Sequence, residues 1–93
     1  MRTSKASRWL GRVKACPCVL CSALGQSQQS PTDAHHMRHG QGMAQRSSDF
    51  MAAALCKECH QGKGGIHDDR SLLKIAKLTE LDLVALTIEA IFQ

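Results

Sequence analysis

The 93-residue chain has no tyrosine, one tryptophan and two phenylalanines. A single domain of this size buries a limited core, and small domains often add a metal or disulfides as staples. With so few aromatics, a structural metal would be useful. No apolar run is long enough to span a membrane. The opening residues, Met-Arg-Thr-Ser-Lys-Ala-Ser-Arg-Trp-Leu, lack the apolar stretch of a secretory signal. Both absences lead to the expectation of a protein kept in a reducing cytoplasm, where paired cysteines bind metal more often than each other. No internal repeat is found, and the chain has no asparagine at all. Acids are missing from residues 2 to 14, which carry Arg2, Lys5, Arg8, Arg12 and Lys14. That stretch reads either as a solvated, partly frayed arm or as an arm contacting phosphates, with Trp9 and Leu10 folding back onto the core. The net charge of +4 suits an anionic partner such as nucleic acid, although many soluble proteins are equally basic.

What the chain does have is concentrated between residues 16 and 67. All five histidines (His35, His36, His39, His60 and His67) and all five cysteines (Cys16, Cys18, Cys21, Cys56 and Cys59) lie there. Imidazole and thiolate suit zinc and its neighbours.

The elements expected around these residues are short. Cys16-Pro-Cys-Val-Leu-Cys21 reads as a tight turn, and residues 22 to 32, polar with Gly and Pro, as a loop. A short strand is expected around Ala34 and Met37, with Gly40 and Gly42 permitting a bend. A second is expected over residues 50 to 55, just before a cysteine pair. Residues 57 to 62 predict one or two helical turns, ended by Gly62, Gly64 and Gly65. Ser71 is the expected cap of a helix through Leu72, Leu73, Ile75 and Ala76. Thr79 and Asp82 have capping-box spacing. Leu81, Val84, Ala85, Ile88, Ile91 and Phe92 then predict a helix over 80–92, its apolar face widened by Leu83 and Leu86 and covering the core. The expected organisation is a basic arm over 1–15, a metal-stapled core over 16–70 and a helical segment over 71–93, as a monomer.

Cys18-x-x-Cys21 and Cys56-x-x-Cys59 form two knuckles. Thiolates two residues apart reach one tetrahedral zinc, and two such pairs close a structural site. Residues 22 to 55 separate the pairs, more than in a simple zinc ribbon, so something is inserted. Cys16 is a spare that could replace Cys18. Cys59 and His60 are neighbours, and on a helix their side chains diverge by about 100°. Cys59 could therefore face the zinc while His60 faces a second centre. His39 has no role in this scheme.

A Cys-x-x-Cys pair, then His35-His36-Met37, then Leu55-Cys-x-x-Cys-His60, resembles the HNH endonucleases with the ββα-metal (His-Me finger) fold. More narrowly, His-His-Met-Arg-x-Gly-Gln-Gly, with Gly-Ile-His further on, is similar to small phage and prophage HNH proteins, including those like the recombination-enhancement nuclease Ref. The resemblance covers roughly residues 16 to 70. It implies a small α+β fold with a four-cysteine structural zinc site, Zn2+ at Cys18, Cys21, Cys56 and Cys59, and a C-terminal helix. It implies a catalytic Mg2+ or another divalent metal on His35, His60 and His67, with His36 as general base. DNA is the implied substrate, and a recombinase filament an implied partner. The family's middle Asn has no counterpart here; Asp49 or Ser48 would have to orient the base.

The chemistry fits these residues without the family name. A neutral imidazole can take a proton from water near pH 7. A divalent ion with open positions polarises a phosphate and holds a leaving oxygen. Arg38, Arg46, Lys57 and Lys63 could bind backbone phosphates, or serve only solubility. Two other classes compete with this reading. Cys56-Lys-Glu-Cys59-His60 also matches the c-type haem attachment motif, which leaves the upstream cysteines unexplained. A zinc-stapled DNA-binding or adaptor module without catalysis uses the same knuckles.

Overall fold

The computed structural model describes residues 3–37 and 48–93. Along the chain these are α1 (Ser4–Lys14), α2 (Val19–Leu24), β1 (Thr32–His36), β2 (Ala52–Cys56), α3 (Lys57–Gln61), α4 (Ser71–Ala76) and α5 (Glu80–Ile91). The result is a small α+β protein around one two-stranded antiparallel sheet. Among the described residues no helix is long and apolar enough to cross a membrane.

The basic N-terminal stretch is a helix, not a frayed arm. Thr3 caps it, its Oγ1 accepting from the Ala6 N–H at 3.1 Å. Ala6, Leu10 and Val13 recur at helical spacing and are buried. Lys5, Arg8, Arg12 and Lys14 stay exposed around that stripe. Trp9 packs on the core edge, its ring centroid 6.1 Å from Phe50 and 6.2 Å from Phe92. Arg12 lies 5.2 Å over the Phe92 ring. All three aromatic residues of the chain thus meet where α1 approaches the end of α5.

The sheet is small and dry. β1 pairs β2 in the register Thr32↔Cys56 through His36↔Ala52. Every residue of β2 is buried, and the run Ala52-Ala-Ala-Leu55 lets helices approach closely on small side chains. The Ala54 N–H donates to Thr87 Oγ1 at 3.0 Å, while the Thr87 hydroxyl donates to the Leu83 carbonyl at 2.8 Å. One buried threonine therefore joins α5 to β2.

α5 starts with the expected capping box of Thr79 and Asp82. Its buried face is only part of the one periodicity suggests: Leu83 and Val84 are buried and Leu86 and Ile91 pack on the core. Glu80, Leu83, Val84 and Thr87 point inward. Leu81, Ile88 and Phe92 are 55%, 39% and 68% exposed and form an outer apolar stripe. The threonine bond to β2 and the buried Glu80 share the inward face with Leu83, Val84, Leu86 and Ile91, so α5 is apolar on both sides. Ser71 is likewise not a cap. Arg70 holds that position in a left-handed conformation, φ 63°. Ser71 is the first helical residue, and its N–H donates to Asp69 Oδ1 at 3.0 Å. A short aspartate turn does the capping that the serine suggested.

Thr87→Val keeps the shape and strands the Ala54 N–H. It is expected to lower stability by about 1–3 kcal/mol, the cost of an unsatisfied buried donor. Denaturant unfolding measures this; an unchanged midpoint would show that Thr87 does not join helix to strand.

Candidate metal centres

The two knuckles are built alike. Cys18 is the N-cap of α2 and Cys21 its third residue; Cys56 is the N-cap of α3 and Cys59 its third residue. Each Cys-x-x-Cys therefore wraps the first turn of a short helix. Cys21 donates its N–H to Cys18 Sγ at 3.4 Å. A glutamine fixes the approach: Gln28 Oε1 accepts from the Cys18 N–H at 2.8 Å, and its Nε2 donates to Thr32 Oγ1 at 2.9 Å. The Thr32 hydroxyl in turn donates to the Cys16 carbonyl at 2.6 Å. The loop before β1 thus pins the first knuckle to the sheet. Ser30 Oγ accepts from the Lys57 N–H at 3.0 Å and donates to Glu58 Oε2 at 2.8 Å, tying the same loop to α3.

Cys18, Cys21, Cys56 and Cys59 are all buried, and their sulfurs lie within 4.8 Å of one another. Cys21 Sγ is 3.6 Å from Cys56 Sγ and 3.7 Å from Cys59 Sγ. These separations are far too long for disulfides. They match the spacing of about 3.8 Å that tetrahedral zinc imposes with Zn–S bonds of about 2.3 Å. The charges agree. The Cys59 thiol, donating to Cys18, pulls the Cys18 pKa down to about 5. Burial drives Cys21 up to about 11. Cys59 is also driven up, first by its bond to Cys18 and then by burial. A thiolate at Cys18 opposes the ionisation of its neighbours. A divalent cation removes the opposition and lets the ligands ionise together. Four buried cysteines here could hold a metal such as zinc. Cys16 stands outside the set, half-buried, its pKa raised by burial.

A second donor set adjoins the first. His35, His60 and His67 offer nitrogens that also lie within 4.8 Å of one another. Their ring centroids are 5.0, 5.1 and 4.6 Å apart. His60 Nε2 and His67 Nε2 are 3.0 Å apart, close to the spacing of about 3.3 Å expected for two imidazoles on one zinc-sized ion with bonds of about 2.0–2.1 Å. His60 follows Cys59 on α3, so the helical turn sends one side chain to each set. Glycines deliver His67. After Gly64, at φ 79°, the chain turns back along α3. Ile66 N–H then donates to the Cys59 carbonyl at 2.9 Å and His67 N–H to the His60 carbonyl at 3.1 Å. A Cβ on Gly65 would sit 2.8 Å from the Cys59 carbonyl oxygen, so only glycine lets the segment pass.

The two sets differ in kind. The thiols are enclosed, whereas His67 is exposed. Three neutral nitrogens with one side open leave coordination positions free, unlike four thiolates. Burial holds His35 below its ordinary pKa, which favours the neutral form a ligand needs.

Two carboxylates lie beside the histidines, and the sequence singles out neither. Glu80 Oε2 lies 3.2 Å from His35 Nε2, and Glu80 Oε1 accepts from Arg70 at 2.6 Å. Asp33 Oδ2 lies 3.5 Å from His60 Nδ1. Glu80 comes from α5, far along the chain from the motif, and helix position alone marks it as a first-turn acid.

His36 and Asp49 form a separate pair, Nε2 to Oδ1 at 2.7 Å. An ionised carboxylate only accepts, so it fixes the ring proton on Nε2 and leaves the Nδ1 lone pair available. His36 belongs to neither donor set. The alternation of a strand directs it away from its neighbour His35. Ser48 does not hold His36; its hydroxyl accepts from the Phe50 N–H at 3.1 Å. Of the candidate phosphate contacts, Lys57 and Lys63 are exposed. Arg38 and Arg46 lie outside the described residues, as do His39, Gly40 and Gly42. Comparison with protein-family models, curated proteins and solved structures returned no match.

The cysteine geometry separates Cys16 from Cys18. Cys16→Ser should leave one tightly held divalent ion per chain, whereas Cys18→Ser or Cys56→Ser should lose the ion and the fold together. Metal analysis with thiol titration distinguishes them. A folded chain with reduced thiols that takes up no zinc would overturn the site.

Proposed function

We propose that the chain is a metal-dependent endonuclease of HNH type acting on DNA phosphodiesters, with a ββα-metal core stapled by a structural zinc. The observation that carries this reading is the shared helix: α3 gives Cys59 to an enclosed four-thiol set and His60 to an open three-histidine set. The β1–β2–α3 order around that helix supports the architecture. Cys18, Cys21, Cys56 and Cys59 would hold the zinc, and binding it would be coupled to folding. His35, His60 and His67 would hold a divalent ion, which when bound supplies Lewis-acid stabilisation of a phosphate and its leaving oxygen.

The rest of the reaction falls to side chains. Asp49 fixes the proton of His36 on Nε2, so Nδ1 accepts the proton of the attacking water. Asp49 thereby does the orienting work of the asparagine that the chain lacks. Lys57 beside the donor sets, Lys63, and the cations Arg38 and Arg46 would meet the phosphate backbone. That affinity depends on salt and carries little base preference. One observation favours a second reading, a zinc-stapled DNA-binding module without catalysis: His36 and Asp49 stand apart from the three histidines.

Plasmid nicking with Mg2+ or Mn2+ tests the proposal, alongside metal content and DNA affinity of three variants. His36→Ala should slow cleavage by about 10²–10⁴-fold and leave metals and DNA binding intact. His35→Ala and His60→Ala should lose the second metal and be partly rescued by excess. All three should keep the zinc. If His36→Ala nicks like the parent, His36 is not the base; a parent that binds DNA but never nicks it makes the second reading correct.

A further inference from the structure

We propose that Glu80 is a positioning residue for metal ligation by His35, with Arg70 fixing the same carboxylate from its other oxygen. The inference deepens the three-histidine reading and rests on it.

Glu80 does not need to be buried to serve its helix. The capping box of α5 is completed by Thr79 and Asp82. An exposed acid in the first turn would complement the helix dipole equally well. Glu80 is instead only 9% exposed, and its neighbours Leu81 and Asp82 face solvent. A carboxylate is buried at a cost unless it is paired and hydrogen-bonded. Its two oxygens have distinct partners: Oε1 accepts from Arg70 at 2.6 Å, and Oε2 lies 3.2 Å from Nε2 of His35. Arg70 is itself held. Its Nε donates to the Ile66 carbonyl at 3.1 Å, and its backbone takes the left-handed form at φ 63°, unfavourable for a side chain of this kind. An unfavourable backbone and a buried acid both converge on one nitrogen of one histidine.

Packing alone gives no reason for this arrangement, because apolar residues replace buried ion pairs without loss in many proteins. Ligation does give one. An imidazole that binds a metal through one nitrogen usually donates its other N–H to a carboxylate, which fixes the tautomer, aims the ring and raises its basicity. With Nε2–H held by Glu80, the lone pair of His35 is on Nδ1. Asp33, 3.5 Å from His60 Nδ1, is a more exposed counterpart on the second ligand. The first turn of α5 and the turn before α4 thus become part of the site, although neither supplies a ligand.

The experiment titrates Co2+ into the zinc-loaded full chain, following the absorption of Co2+ on the histidines. The parent, Glu80→Gln and Glu80→Leu are compared, with His35→Ala identifying the signal. Thermal midpoint and zinc content are measured on each. Imidazole nitrogen NMR of the Co2+-free proteins reports the His35 tautomer. Glu80→Gln should weaken Co2+ binding about tenfold and Glu80→Leu about 10–100-fold. Zinc should be unchanged, and the single His35 tautomer of the parent should be lost. Should Glu80→Leu not fold, the isosteric Glu80→Gln decides alone. Parent-like Co2+ affinity in Glu80→Gln, with its His35 tautomer unchanged, would overturn the positioning role and leave the three-histidine reading standing. A parent whose Co2+ signal is indifferent to His35→Ala overturns both.

Discussion

Four thiols gathered in one buried place cannot all be ionised by the protein alone. The chain supplies Cys18 with a thiol donor and backbone N–H groups that favour its thiolate, while burial pushes Cys21 upward and the bond to Cys18, then burial, pushes Cys59 upward. A divalent cation held by the four sulfurs would resolve that conflict. The surrounding architecture depends on the same point. α2 and α3 are too short to persist as isolated helices. Each begins on a cysteine, so the cluster fixes both first turns. β2 leads directly into one of them, and the Gln28 and Ser30 contacts fasten the loop before β1 to both knuckles. In so small a domain, this is where a compact metal centre can substitute for a larger core.

The second donor set inherits its position from the first. Cys59 and His60 are consecutive on one helical turn, so fixing the sulfur fixes the direction of the imidazole. The backbone bonds from Ile66 and His67 to the carbonyls of Cys59 and His60 then copy that placement onto the returning segment. Gly65 is present because the return passes too close to the Glu58 and Cys59 carbonyls for a side chain, and Gly64 because the turn takes a left-handed φ of 79° against Ser71. The enclosed thiols and the more open histidines thus share one support while offering different coordination chemistry: four buried sulfurs in one set, three nitrogens with an exposed side in the other.

What could be read from the sequence was whatever local spacing encodes. The two cysteine pairs, both strands, the turn of helix after Cys56 and the capping box at Thr79 all follow from neighbours a few residues apart. The helix over 4–14 was present in the spacing of Ala6, Leu10 and Val13 and in Thr3 before them, but the run of positive charge obscured so narrow a stripe. The inward face of α5 was readable only in its apolar part, Leu83, Val84, Leu86 and Ile91, because periodicity weighs apolarity and the helix also turns two polar contacts inward. Thr87 satisfies the Ala54 N–H, and Glu80 reaches His35. Neither partner lies near in sequence. The Ser71 cap failed for a local reason: Asp69 Oδ1 accepts from the Ser71 N–H, and the helix begins one residue early, with Arg70 at the cap position and Ser71 inside it.

Those two polar contacts also decide what α5 is for. Leu81, Ile88 and Phe92 form an apolar row of their own beside the inward Leu83, Val84, Leu86 and Ile91, so hydrophobic burial alone leaves the choice of face open. Burying a threonine and a glutamate in their place is favourable only if both are satisfied, since an unmet polar group inside costs more than a methylene exposed outside. Both are: the hydroxyl serves β2 and Leu83, and the carboxylate serves His35 and Arg70. The helix is therefore oriented by hydrogen bonds at two depths, one to the sheet and one to the histidine set. A rotation that buried the apolar row would break both at once. The helix thus joins the stability of the sheet to the geometry of His35, and the outer apolar row is left exposed as a consequence.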